Sequence, residues 1–192
     1  MKYDLILSGV GGQGILSIAY LLDHAAMDSG LMFKQSEVHG MAQRGGAVLC
    51  QVRISDQPIA SDILGLGQAD LILSVEPLEA LRYSAYLKKD GVVVTSSAPF
   101  PNIPDYPPLE TVLEAIRRFP RHLIVDSERL AREAGSALSQ NMVMTGAASR
   151  YLPINPQRLR ERIRILFEKK GESVLKINGR AFDLGRAAET VV

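Results

Sequence analysis

Short apolar runs alternate with amphipathic stretches along the first two thirds of the chain. Residues 3–8 form an apolar run, and after a glycine-rich turn the apolar positions from Ile15 onwards recur at helical spacing. Further apolar runs predict strands over 32–36, 47–54, 70–75, 91–95 and 123–125. In the third predicted strand, Val48, Cys50, Val52 and Ile54 share one face, with Gln51 and Arg53 on the other.

The stretches between and after these strands carry helix signals. Glu76-Pro77 predicts a helix start, and Asp126-Ser127 predicts a capped one. Apolar positions after Pro77 stay in helical phase as far as Leu87, whereas the proline-rich segment 99–108 predicts an irregular excursion. In the C-terminal third, Asn155-Pro156 begins another helix. We therefore predict an α/β fold: one Rossmann-like three-layer domain over 1–192, with a mostly parallel sheet and a helical C-terminal region.

Composition and charge narrow the classes of partner and compartment. A formal net charge of +1 gives no electrostatic reason to expect a nucleic-acid or membrane partner. No apolar run approaches the roughly 20 residues that cross a bilayer, and the N-terminus lacks a signal-peptide pattern, so we expect a cytoplasmic protein. With a single cysteine, Cys50, and three dispersed histidines, the chain shows no metal motif. If the chain takes part in redox chemistry, the redox centres are expected on another chain.

The first glycine cluster lies where the first predicted strand meets the first predicted helix. Its spacing, Gly9-x-Gly11-x-x-Gly14, matches the dinucleotide fingerprint, because glycine permits close backbone approach and a helix start offers free N–H groups to an anion. The alternative is a tight turn that packs against a neighbouring chain. Both a phosphate-binding and an interface role remain open for Gly9, Gly11, Gly12, Gln13 and Gly14.

The segment 36–46 concentrates an acid, an imidazole, an amide and a guanidinium between glycines. It reads Ser36-Glu37-Val38-His39-Gly40-Met41-Ala42-Gln43-Arg44-Gly45-Gly46. A polar loop of this kind is predicted to follow the second strand, and it is either catalytic or a contact surface.

The glycine cluster, the segment 36–46 and the stretch Gln140-Asn141-Met142-Val143-Met144-Thr145-Gly146-Ala147 occur in the order found in a known family. Together they resemble the gamma-type domain of 2-oxoacid:ferredoxin oxidoreductases, from the first strand to near the C-terminus. The sequence of the segment 36–46 resembles the corresponding segment in the beta subunit of the indolepyruvate branch. A gamma subunit of the pyruvate or 2-oxoglutarate type remains the alternative within the family.

The resemblance implies a division of labour between subunits. A large alpha subunit is expected to hold thiamine diphosphate, magnesium and 4Fe-4S clusters, with none of these on the present chain. The implied reaction is oxidative decarboxylation of an aryl pyruvate, in which coenzyme A accepts the acyl group and ferredoxin accepts the electrons. Without its large partner, the chain is expected to form homodimers or to aggregate weakly, because the partner surface stays uncovered.

Individual residues carry paired interpretations. Arg44 is a candidate to bind a substrate or a coenzyme A phosphate, or to form a salt bridge across the subunit interface. His39 is a candidate for proton transfer or for a hydrogen bond within the loop. Glu37 and Gln43 are expected to hold the loop's shape. Asn141 and Thr145 lie one helical turn apart, so they either support the glycine loop or contact the partner. Outside this family, a free-standing nucleotide-binding Rossmann-like protein is the alternative from a different functional class.

Overall fold

The computed structural model describes residues 1–39 and 45–191, which build one six-stranded sheet. Its strands are β1 (Lys2–Val10), β2 (Met32–His39), β3 (Ala47–Ser55), β4 (Ala69–Ser74), β5 (Leu87–Ser96) and β6 (His122–Val125). The order across the sheet is β2-β3-β1-β4-β5-β6. Within it, β3 is antiparallel to both of its neighbours, and β1, β4, β5 and β6 pair in parallel. The predicted α/β class with a mostly parallel sheet is confirmed.

Helices cover both faces of this sheet. On one face, α2 (Pro77–Arg82) and α3 (Leu109–Arg117) enclose a buried apolar cluster that includes Ile72 and Ile116. The helices on the other side are α1 (Ile15–Asp28), α4 (Ser127–Ala134), α5 (Gln140–Ala148), α6 (Pro156–Phe167) and α7 (Glu172–Ala187). This arrangement gives the three predicted layers. No helix of the described residues is both long and apolar enough to cross a membrane.

Three helices begin with side-chain caps at positions that the sequence indicated. The Glu76 carboxylate accepts the Glu79 N–H at 2.8 Å, and the Asp126 carboxylate accepts the Arg129 N–H at 3.0 Å. The Asn155 side chain accepts the Gln157 N–H at 2.9 Å. Each cap satisfies a backbone donor that the helix itself leaves unpaired.

Two predicted boundaries are wrong. β2 continues beyond Ser36 to His39, because its backbone pairs with β3 as far as the pair His39–Val48. The helical spacing of apolar residues after Pro77 also predicts a helix that is too long. α2 ends at Arg82, and Leu87 is the first residue of β5, where it pairs with Ala69. In both cases the hydrogen bonding between strands decides the boundary, against the polarity of residues 37–39 and against the helical spacing of the apolar residues up to Leu87.

A close helix contact in the core joins α5 to α7 through glycines. A Cβ atom on Gly146 would lie 2.8 Å from the Phe182 carbonyl carbon, and one on Gly185 would lie 2.6 Å from the Val143 carbonyl carbon. Real side chains do not approach backbone atoms this closely. The two glycines therefore let the helix backbones touch, which fixes α5 against the C-terminal helix.

Candidate functional site

Gly11, Gly12, Gln13 and Gly14 of the glycine cluster form the loop between the end of β1 and the start of α1, whereas Gly9 lies within β1, opposite Val48. Gly12 and Gly14 have φ values of 103° and 77°, a region that other residues rarely adopt. Gly14 is the N-cap of α1 and provides no side-chain cap, so the first N–H groups of that helix have no capping side chain.

Backbone hydrogen bonds join this loop to the end of the segment 36–46. The Gly11 N–H donates to the Gly46 carbonyl at 2.8 Å, and the Gly45 N–H donates to the Gly11 carbonyl at 3.3 Å. Within the loop, Gln13 folds back so that its Oε1 accepts the Val10 N–H at 2.8 Å. Two motifs that are distant in sequence therefore meet in space.

The third motif reaches the loop through Asn141. A Cβ atom added to Gly14 would lie 3.1 Å from the Asn141 Cγ, so this side chain fits against the glycine. Thr145 behaves differently: it is fully buried, and its hydroxyl donates to the Asn141 carbonyl oxygen at 2.7 Å. Of the two residues, Asn141 lies beside the glycine loop and Thr145 ties the α5 backbone behind it.

A cavity of about 410 Å³ opens in front of the loop. Its rim includes two apolar side chains, Phe100 and Leu138, of which Leu138 is 92% exposed. The full lining consists of Gly11, Gly12, Gln13, Gly14, Val75, Phe100, Ala137, Leu138, Gln140 and Asn141. We call this space the glycine-loop pocket.

Buried Glu76 holds the Phe100 side of the rim. Its Oε1 accepts the Phe100 N–H at 3.3 Å and also accepts the Tyr106 hydroxyl. Burial raises the pKa of Glu76, although the hydrogen bond from Tyr106 opposes that rise. The pKa of Tyr106 also lies above its ordinary range, because of burial and the same hydrogen bond. The irregular segment 99–108 is thereby anchored to the start of α2.

The described lining of the glycine-loop pocket consists of backbone groups, carboxamides and apolar side chains. None of the lining residues within 1–39 and 45–191 is acidic, basic or a histidine. General acid–base catalysis requires a titratable group within hydrogen-bonding reach of the reacting atom, and the described lining holds none.

The other predicted site residues lie elsewhere or outside the described residues. Ser36 and Glu37 belong to edge strand β2, and Gln35 Nε2 donates to Glu37 Oε2 at 3.2 Å. Neither Ser36 nor Glu37 lines the glycine-loop pocket. Gln43, Arg44 and the side chain of His39 fall outside the described residues, so their predicted roles stay predictions.

Sequence reasoning missed five lining residues of the pocket: Val75, Phe100, Ala137, Leu138 and Gln140. Gln140 opens the third motif beside Asn141, and that neighbourhood was an available signal. Phe100 and Leu138 carry no local pattern that marks them, because their place on the rim depends on how distant segments pack.

No described part of the chain arranges three or more His, Cys, Asp or Glu side chains for a metal ion. Cys50 is fully buried on β3, and its pKa rises to about 12, mainly through burial and further through the charges of Asp23 and Glu37. A thiol in this environment stays protonated, and it is the thiolate that reacts and binds metals.

Comparison with known proteins places this fold in a family. A sequence model described as pyruvate ferredoxin/flavodoxin oxidoreductase matches residues 4–188. The chain is 39% identical to the indolepyruvate oxidoreductase subunit IorB of Pyrococcus horikoshii, over 96% of this chain and 94% of that protein. It is 29% identical to the pyruvate/ketoisovalerate oxidoreductases common subunit gamma of Pyrococcus abyssi, over 77% of this chain and 76% of that protein.

A solved structure agrees with these sequence matches. The 2-oxoglutarate:ferredoxin oxidoreductase of Magnetococcus marinus, solved with 2-oxoglutarate, coenzyme A and succinyl-CoA bound, superimposes with a TM-score of 0.78 at 26% identity. The match covers 97% of the present chain but 30% of that longer chain. By sequence and by fold, the chain belongs to the pyruvate ferredoxin/flavodoxin oxidoreductase family.

Proposed function

We propose that this chain is the small subunit of an indolepyruvate-type 2-oxoacid:ferredoxin oxidoreductase. The observation that carries the proposal is the 39% identity to an indolepyruvate oxidoreductase subunit over nearly the full length of both chains. The pyruvate/ketoisovalerate subunit is less similar and matches about three quarters of the chain. The preferred substrates are then aryl pyruvates rather than pyruvate.

In the proposed reaction, the bond between the carboxylate carbon and the carbonyl carbon of the 2-oxoacid breaks, and CO2 leaves. Coenzyme A takes the acyl group through its sulfur and releases the thiol proton. The two electrons pass one at a time to two molecules of oxidised ferredoxin. Thiamine diphosphate, magnesium and iron–sulfur clusters supply the carbon–carbon cleavage and the electron path, and we assign all of them to the large alpha subunit.

The residues of the small subunit support this assignment of roles. A 4Fe-4S cluster needs several thiolates, whereas this chain has one cysteine, which is buried and protonated. The described lining of the glycine-loop pocket offers hydrogen-bond donors and apolar rim residues, and none of these described residues has a titratable side chain. These features suit a subunit that binds and positions while its partner carries out the chemistry.

The first test is assembly and substrate preference. Co-expressed with the large subunit from the same genome, the chain should co-purify as a complex that reduces ferredoxin with indolepyruvate or phenylpyruvate and coenzyme A. We expect kcat/KM for these substrates to exceed that for pyruvate or 2-oxoglutarate. A complex that prefers pyruvate or 2-oxoglutarate would place the chain in the other branch of the family. A chain that binds no large subunit would contradict the proposal.

The second test concerns the cofactors of the chain alone. Purified without its partner, the chain should bind neither thiamine diphosphate nor iron, because it has one protonated cysteine and no metal-ligand group among its described residues. Metal analysis and absorption spectroscopy measure this, with the assembled complex as the positive control. Stoichiometric iron with cluster absorption in the lone chain would refute the assignment of redox centres to the partner.

A further inference from the structure

β2 is an edge strand of the six-stranded sheet, and among the described strands it pairs only with β3. Its register runs without a shift from the pair Met32–Ser55 to the pair His39–Val48, and the strand contains no proline. At the opposite edge, the Val191 N–H donates to the Ile124 carbonyl on β6 at 2.9 Å. Proteins usually protect a long edge strand with a bulge, a proline or a covering segment, because its free backbone groups can pair with another chain.

The hydrogen bonds of β3 show which β2 residues direct their backbone outwards. The Asp56 N–H donates to the Met1 carbonyl at 3.2 Å, so by alternation the even-numbered residues of β3 direct their backbone groups towards β1. The odd-numbered residues of β3 therefore bond to the even-numbered residues of β2 opposite them. Phe33, Gln35 and Glu37 are left with their N–H and C=O groups directed away from the sheet. Within residues 1–39 and 45–191, the backbone of Phe33 or of Gln35 has no hydrogen-bond partner on that side.

Two exposed apolar side chains lie near the two ends of this edge. Met32 is 48% exposed and Val38 is 62% exposed. Both side chains lie on the same face of the sheet, because they are an even number of residues apart in one strand. An open groove of about 440 Å³ adjoins the Met32 end, and its apolar lining includes Met27, Leu31 and Ile59. The edge therefore has an apolar groove at one end and an exposed valine at the other.

We propose that β2 is the contact surface for a second copy of this chain, with the two β2 strands antiparallel about a twofold axis at Gln35. This axis, perpendicular to the sheet, pairs Gln35 with Gln35 of the second copy, and Phe33 with Glu37 of the second copy. These are the residues whose backbone groups point outwards, and each such pair exchanges two hydrogen bonds. The same rotation places Met32 opposite Val38 of the second copy, on one face of the sheet and beside the groove.

The occupant is a second copy because the edge is complementary to itself. A twofold contact requires one patch to supply both halves of every pair. The β2 edge does so, since outward backbone groups meet outward backbone groups and the groove end meets the valine end. In a register centred on Ser36, Val38 would instead face Lys34 of the second copy, and Met32 would have no partner within β2. Only the register about Gln35 pairs the two apolar side chains.

Association through this edge is expected to be weak and reversible. A contact of one strand pair is small beside the roughly 1,600 Å² of a standard interface, so we expect a dissociation constant on the order of 10 µM. The surface is independent of the proposed function, and it gives the homodimer expected of the lone chain a defined position and symmetry.

Gln35→Pro tests the backbone groups. Because the Gln35 N–H points outwards, proline removes a donor from the proposed contact and none from the hydrogen bonds between β2 and β3, a placement that edge strands tolerate. Gln35→Ala is the matched control, since it removes the side chain and keeps the N–H. Sedimentation equilibrium of the full-length chain over a range of concentrations should show reversible dimers for the wild type and Gln35→Ala. Association of Gln35→Pro should be weaker by about tenfold or more.

Met32→Lys tests the apolar contact. It places a charge opposite Val38 of the second copy and should weaken the dimer as well, measured in the same way. Its control is Ile63→Lys, because Ile63 is 54% exposed and lies outside β2. Circular dichroism and thermal melting verify that each variant is folded, and Met32→Lys decides the question if Gln35→Pro does not fold.

A disulfide tests the register. Opposite residues of a non-hydrogen-bonded antiparallel pair have Cα atoms about 4.5 Å apart, which a disulfide can span. Met32→Cys combined with Val38→Cys should link two copies on oxidation, in the lone chain or in the assembled complex. Lys34→Cys combined with Val38→Cys belongs to the register about Ser36 and should not. The native Cys50 is fully buried and does not compete.

Three results would overturn the inference. They are a wild-type chain that stays monomeric at every concentration, a dimer that folded Gln35→Pro and Met32→Lys leave unchanged, and cross-linking of the control pair instead of the pair at Met32 and Val38. If the lone chain is a monomer and Gln35→Pro loses affinity for the large subunit, the edge binds that subunit and the assignment to a second copy is wrong. None of these results bears on whether the wild-type complex oxidises aryl pyruvates.

Discussion

Replacing Gly185 with alanine is expected to destabilise the protein by about 3 kcal/mol, the upper end of the usual cost of overpacking a core. A Cβ at this position would lie 2.6 Å from the carbonyl carbon and 2.9 Å from the Cα of Val143. The obstacle is the backbone of α5, which cannot rotate away as a flexible side chain could. The helices must separate instead, and buried apolar contacts around Phe182 are lost with them.

A second glycine on the same helix provides the control. Gly179 lies on α7 with nothing within 4 Å of its would-be Cβ, so Gly179→Ala should stabilise the protein by about 0.5–1 kcal/mol through helix propensity. Urea unfolding of both variants measures the two free energies of unfolding. Equal stability of the Gly185 and Gly179 variants would show that α5 and α7 are not packed as described.

Replacing Asp23 with asparagine is expected to stabilise the protein above neutral pH by about 2–4 kcal/mol and to have little effect near pH 4. Asp23 lies on α1 and is 4% exposed, and its Oδ1 has no hydrogen-bond partner among the described residues. Burial raises its pKa from the ordinary 3.8 to about 7. The folded protein therefore holds this proton more tightly than the unfolded chain does.

The sign of the pH dependence follows from that difference. Below about pH 4 the carboxyl group is protonated in both states, so it adds no pH-dependent term. As the pH rises from about 4 to about 7, the unfolded chain gains stability by ionising while the folded state does not, and the protein becomes less stable. Asparagine does not titrate, so the Asp23→Asn variant should lack this loss. Thermal melting across this pH range measures it.

Asp28, five residues further along α1, serves as the contrasting control. Its hydrogen bond and ion pair with Arg162 hold the pKa of this carboxyl below its ordinary value. Asp28→Asn should therefore remove stability at neutral pH, and the difference from wild type should shrink as the pH falls. If both variants changed stability in the same direction at pH 8, the burial and pairing assigned to these two carboxyls would be incorrect.

Local sequence signals were sufficient for much of the architecture. The alternation of apolar runs and helical patterns predicted the α/β class, and the caps at Asp126 and Asn155 lie where their residue types indicated. The start of α2 at Pro77 follows the proline signal. These features depend on residues within a few positions of one another. Helix caps and apolar periodicity can be read from the sequence because the interactions that produce them act within one helical turn or one strand.

Part of the candidate site was also visible in the sequence. The left-handed φ values at Gly12 and Gly14 are the physical reason for glycine there, and the order of the three motifs indicated the family. The meeting of these motifs was not visible. It depends on the hydrogen bonds between Gly11 and residues 45–46 and on the fit of Asn141 against Gly14, which join segments far apart along the chain.

By itself, the sequence determined the class of the fold, the positions of the helix caps and the family, because each is expressed in local periodicity or in contiguous motifs. The tertiary structure alone decided the antiparallel placement of β3 and the end of α2 at Arg82. It also decided that Arg53, on the face of β3 opposite Cys50, is buried in an ion pair with Asp4 at 3.0 Å. Each of these depends on which distant segments become neighbours, and that choice is made by the burial and pairing of the whole chain rather than by any single stretch of it.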